Sequence, residues 1–136
     1  MRYGLLLAAS LLAAAACGNR GDTPDRDTAV STVSEHALEA WAEGGPRGLL
    51  DYLSVNVQSH CTAARLQESM ASEPTPAHWV ETRDINQISQ TETTATVIFD
   101  TTDGQQVNQN WSFTLENYSW RVSAMPGLAD CTTQGD

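Results

Sequence analysis

The chain has 136 residues, room for one hydrophobic core rather than two. Seven arginines and no lysine stand against seventeen carboxylates, a formal charge of −10 at neutral pH. That balance excludes nucleic acid as an expected partner, because such binding rests on cationic contacts to phosphate, and it argues against lying flat on anionic lipid.

The first sixteen residues carry one cation, Arg2, ahead of an uncharged and mostly apolar run from Tyr3 to Ala16. A spanning helix needs about 20 apolar residues, so this run is too short for one and reads as a signal peptide over residues 1–16. The small residues Ala14-Ala15-Ala16 before Cys17 resemble the lipobox of bacterial lipoproteins, departing from it at Ala14, where that motif carries Leu, Val or Ile. The resemblance implies cleavage before Cys17 and attachment of a diacylglyceryl group to its sulfur, with fatty acids such as palmitate as the membrane anchor. It places the chain in the cell envelope, outside the cytoplasm. Gly18 takes the place of the aspartate that retains lipoproteins at the inner membrane, which implies the outer membrane where the source has one. Without Arg2 the mature chain keeps six arginines against the same seventeen acids.

Three cysteines leave one thiol over. The lipobox resemblance accounts for Cys17, leaving Cys61 and Cys131 to form a disulfide in an oxidising compartment. Two separate buried thiols are the alternative that the residues themselves leave open. A bridge would close a loop of about 70 residues and contribute ~4 kcal/mol in the chain-entropy view. Metal-ligand spacing is absent around both cysteines, and no metal or cofactor is expected.

Residues 17–27 are polar and interrupted by Gly and Pro, the composition of a flexible tether. One α+β domain is expected over 28–132, with a short tail at 133–136. Within it Val30, Val33, Ala37, Leu38 and Trp41 recur at helical spacing, predicting a helix over 28–43 capped by Asp27 or Thr28 and ended by Gly44-Gly45. Pro46 suits the first turn of a second helix over 46–53, with Leu49, Leu50 and Leu53 inward. Ser54 to Gln58 is ambiguous. A third helix is expected over 59–71, carrying Cys61, Ala64, Leu66 and Met70, stopped by Pro74 and Pro76.

From Trp79 the hydrophobic period becomes two. A strand over 79–89 alternates poorly and predicts a bulge near Arg83-Asp84. A second over 92–101 places Ala95, Val97 and Phe99 on one face. Asp103-Gly104 is a hairpin signal, and the third strand over 106–116 turns Val107, Trp111, Phe113 and Leu115 to one side. Asn117 suits the left-handed residue of a tight turn before a fourth strand over 120–125. Cys131 then falls where the end of the sheet comes within reach of the third helix.

Helices followed by an antiparallel meander predict an α+β fold, with the helices packed on one face of a curved sheet. Ala37-Leu38-Glu39-Ala40-Trp41 with Gly44 and Leu49 to Leu53, then Thr94 to Val97, then Trp111 to Glu116 leading to Trp120-Arg121-Val122, resemble the nuclear-transport-factor-2-like superfamily. Small actinobacterial lipoproteins often pair that cone-shaped domain with a lipobox. Enzymes of the superfamily place Asp, His or Tyr inside the cone, which directs attention to His36, His60, His78, Asp51, Tyr52 and Asp100. No arrangement of these marks a catalytic motif, and a fold supplies no chemistry by itself. Tyr52, Trp79, Trp111 and Trp120 form a candidate pocket, with core packing as the competing role for the aromatics.

The expectation is a lipid-anchored, non-catalytic domain that binds a partner protein of the envelope or a small apolar ligand. Two alternatives stand beside it. One is a small hydrolyase or isomerase using Asp51 and Tyr52, and the other a subunit of a secretion or surface-exclusion apparatus.

Overall fold

A computed structural model of the chain describes residues 25–133. The expected signal peptide, Cys17, most of the expected tether and the end of the C-terminal tail lie outside the described residues. Helix α1 spans Arg26–Gly44 and is followed by a 3-10 helix, Pro46–Tyr52, and by short helices α2, Val55–His60, and α3, Ala63–Ser69. Four strands follow: β1 (Pro76–Ser89), β2 (Glu92–Thr101), β3 (Gln106–Glu116) and β4 (Ser119–Ala124). Helix α4, Leu128–Thr133, closes the described chain. Each strand pairs antiparallel with the next, giving one open sheet in the order β1-β2-β3-β4. This is an α+β fold, with the N-terminal helix packed on the sheet.

Helix α1 starts two residues earlier than its apolar period suggests. Asp25, not Asp27 or Thr28, is the N-cap, its carboxylate accepting from the Thr28 N–H at 3.4 Å. Its buried stripe is Val30, Ser34, Ala37, Leu38 and Trp41. Ser34 sits deeper than Val33 because its hydroxyl donates back to the Val30 carbonyl at 2.7 Å, so burial leaves no polar atom unmatched. Gly45, at φ +80, ends the helix with its N–H bonded to the Trp41 carbonyl.

The second helix takes the tighter 3-10 form, with Leu49 fully buried in it and Leu53 just after it. The ambiguous stretch is helical: Ser54 caps α2 by accepting from the Val57 N–H. The third helix is shorter than its sequence period, because Cys61 ends α2 and Thr62 starts α3 by capping the Arg65 N–H. Ala64 is therefore exposed, whereas Leu66 and Met70 are buried as expected.

The sheet follows the period-two pattern closely. Ala95, Val97 and Phe99 on β2 face the same side as Trp111 and Phe113 on β3, with Ala95 opposite Trp111 and Thr93 opposite Phe113. The expected irregularity in β1 is present: register slips between Arg83 and Asn86, and Asp84 adopts φ +52. Further slips at Pro76/His78 and Trp79/Glu81 bend this edge strand, a common protection against edge-to-edge pairing. The opposite edge, β4, is covered by the main chain after the 3-10 helix, where the Ser54 N–H bonds the Val122 carbonyl at 2.9 Å.

Helix α4 has no counterpart in the sequence expectations, its six residues being too few to show a period. Leu128 and Cys131 are buried, and Cys131 reaches Cys61 at disulfide distance, with Cα atoms 5.5 Å apart. The Arg65 guanidinium adds a bond to the Cys131 carbonyl at 3.1 Å. No helix among the described residues is long and apolar enough to cross a membrane.

Two substitutions test this packing in opposite directions. At Gly48 a Cβ would lie 2.3 Å from the Ala40 carbonyl oxygen, where α1 and the 3-10 helix cross. Gly48→Ala is expected to destabilise by about 1–3 kcal/mol as backbones are forced apart. Thr93 is 1% exposed and its hydroxyl has no hydrogen-bond partner. Thr93→Val replaces that hydroxyl with a methyl of similar shape and is expected to stabilise by about 1 kcal/mol. Urea unfolding of both variants reads the two signs.

Candidate functional site

A groove on the described surface lies between the first half of α1 and the bulged part of β1, with a volume of about 480 Å³. Helix α1 supplies Asp27, Thr28, Ser31, Thr32 and Glu35, which share one face because each lies three or four residues from another of the set. The opposite wall is Trp79, Thr82, Arg83, Asp84 and Ile85. The bulge explains why five nearly consecutive strand residues border one groove: an extra residue breaks strict alternation and re-aims the side chains beside it. The Trp79 indole N–H donates to the Thr82 hydroxyl at 2.9 Å, holding the ring against the core.

Three carboxylates, Asp27, Glu35 and Asp84, border the groove against one guanidinium, Arg83, whose own neighbour is Glu81 at 3.9 Å. Hydroxyls supply most of the remaining polar atoms. Such a lining accepts hydrogen bonds from cationic or amide groups, and Trp79, Ile85 and the threonine methyls supply its apolar surface. It suits a polar segment better than an apolar small molecule.

The four residues expected to form an aromatic pocket do not border one groove among the three described. Trp111 is buried in the core, its indole N–H bonded to the Gln109 side chain at 3.0 Å. Tyr52 and Trp120 pack against that core from its margins, and Trp79 alone of the four borders the groove. Core filling took the aromatics because the sheet has one apolar face and these side chains carry the area to cover it.

The acid–base candidates are dispersed. His36 and Tyr52 meet edge-on with ring centres 6.5 Å apart, and His78 lies 2.9 Å from the Asp100 carboxylate on exposed surface. Asp51 is exposed, its backbone carbonyl accepting from Arg121 at 2.9 Å. His60 bonds the Asn56 carbonyl through Nδ1 at 2.9 Å. A thiolate–imidazole pair with its neighbour Cys61 is not available while that sulfur is engaged with Cys131. None of the three grooves described on the surface is bordered by Asp51, Tyr52 or a histidine. No group of three His, Cys, Asp or Glu side chains converges among the described residues.

Sequence reasoning found the bulge but missed the groove. The available signal was the polar stripe of α1 from Asp27 to Glu35, which at helical spacing faces the irregular strand rather than solvent alone. No protein-family model matches the chain, and no curated protein matches it at a significant level. The fold defines its class: an α+β domain with a helix laid across an antiparallel meander.

Proposed function

We propose that this chain is a lipid-anchored protein of the cell envelope, held by Cys17, whose α+β domain binds a partner protein without catalysis. The observation that carries the reading is the apolar leader ending in Ala14-Ala15-Ala16-Cys17, in a chain whose other two cysteines stand at disulfide distance. One sulfur is left for lipid and two for each other, an arrangement compatible with an oxidising compartment outside the cytoplasm. The order of helices and meander supports the resemblance to the nuclear-transport-factor-2-like superfamily.

The groove between α1 and β1 is the binding surface in this reading. Its acidic, hydroxyl-rich walls favour a basic or amide-rich segment of a partner over an apolar ligand. The acidic balance of the whole chain steers such a partner toward it over a range set by ionic strength.

Intact mass of the protein extracted from membranes tests the anchor. The expected mass is that of a chain beginning at Cys17, increased by acyl chains and lowered by the two hydrogens of a Cys61–Cys131 bond. Cys17→Ser is expected to abolish acylation and leave the leader uncleaved. Full-length protein with reduced sulfurs in the cytosolic fraction would end the reading. For the groove, a photo-crosslinking residue at Thr32 is expected to capture the envelope partner, and one at Asn108 is not. Combining Asp27→Asn, Glu35→Gln and Asp84→Asn should cut that capture by most of its yield, and equal capture from both positions would sink the assignment.

A further inference from the structure

The two ends of the sheet differ in what they expose. Helix α1 sets its C-terminal residues Trp41, Ala42 and Gly45 beside Thr75, just before β1, and its first half along Trp79 to Ile85. It therefore runs antiparallel to β1. Asp25, where the described chain begins, emerges at the end of the sheet that carries the β1–β2 and β3–β4 turns. Those turns are tied together by the Leu115 N–H, which bonds the Thr91 carbonyl at 2.9 Å.

The same end holds most of the exposed large apolar side chains among the described residues. Tyr118 is 99% exposed at the β3–β4 turn and Ile88 is 57% exposed near the end of β1. Val55 is 60% exposed, and its N–H is bonded by the Glu116 carboxylate two residues before Tyr118. The remaining one, Val80, lies in the first half of the edge strand.

Tyr118 occupies a position that folding alone would give to glycine. Asn117 and Tyr118 both have positive φ, +48 and +64, as a type I′ turn requires, and the second of these positions favours Gly. A tyrosine there strains the backbone and buries nothing in return. Strain of this kind, held by an exposed aromatic, directs attention to a contact outside the molecule.

We infer that this end of the domain is its membrane-docking surface, with Tyr118 and Ile88 resting in the headgroup layer of the bilayer that anchors Cys17. The inference builds on the lipid anchor proposed above. Eight residue steps separate Cys17 from Asp25. At no more than ~3.5 Å each, they hold Asp25 within about 28 Å of the anchored sulfur. The tether thus attaches at this end of the domain rather than at the Asp103-Gly104 hairpin. Confinement makes a weak surface contact effectively intramolecular. Tyrosine suits the interface because its ring is apolar and its hydroxyl stays wet. Asp25, Asp27, Glu92 and Glu116 stand at the same end, with Arg26 and Arg121 among them, so the contact is shallow and belongs to zwitterionic lipid.

The test uses the mature chain from Cys17, coupled through that thiol to a maleimide phospholipid in phosphatidylcholine nanodiscs containing spin-labelled lipid. This coupling examines docking whether or not cells acylate Cys17, which the intact mass decides separately. Amide signals of residues 87–91 and 116–119 are expected to broaden most, and those of 102–105 least. Tyr118→Gly is expected to remove most of the broadening while leaving the melting temperature equal or higher, since glycine relieves the turn. Ile88→Ser should act in the same direction. Broadening that is uniform over the domain or greatest at 102–105, or that Tyr118→Gly leaves intact, would overturn the inference.

Discussion

The structure depends on one apolar sheet face that has to be kept from water. Val97, Phe99, Trp111, Phe113 and Val122 all point to that side and are each no more than 1% exposed. A four-stranded meander has no second sheet to cover them, so the stripe of α1 does it, with Val30, Ala37, Leu38 and Trp41 laid across the strands. Everything else is arranged around that contact. The 3-10 helix passes so close under α1 that only glycine fits at position 48. Burial of the indoles demands partners for their N–H groups, which Gln109 and Thr82 provide.

The edges of the sheet are handled in two ways, and the difference shapes the surface. β4 is short and covered by the segment from Leu53 to Val55, which is fastened by Arg121 to the carbonyls of Asp51 and Leu53 and by Gln58 to those of Leu50 and Leu53. β1 is long and left open, and it is disrupted by bulges instead. The same disruption that discourages edge pairing turns Arg83, Asp84 and Ile85 toward α1 and creates a groove there. Edge protection and the candidate binding surface are thus one structural feature.

Residue patterns carried most of the fold. Strands β2 and β3 were legible to the residue because β-branched and aromatic side chains alternate through most of their length, with Gln109 and the buried Ile98 as the exceptions. The end of α1 was legible at Gly44-Gly45. Short elements were not: α2 and α4 have six residues each, less than two helical turns, and their formation rests on caps and on the Cys61–Cys131 contact rather than on a period. Tyr52, Trp79, Trp111 and Trp120 look alike in the sequence as large apolar residues. Which of them enters the core depends on the strand neighbour each one meets.

The sequence by itself determined where the period shifts from helical to alternating, hence helices first and meander second, and it carried the apolar N-terminal run and the odd cysteine. These are local properties, written in residues a few positions apart. Tertiary structure alone decided that Asp27 to Glu35 face a bulged strand, that Cys61 meets Cys131 across 70 residues, and that Asp25, Ile88 and Tyr118 share one end. Those juxtapositions join residues far apart in the chain. They follow from the direction in which α1 crosses the sheet, which no short window of sequence encodes.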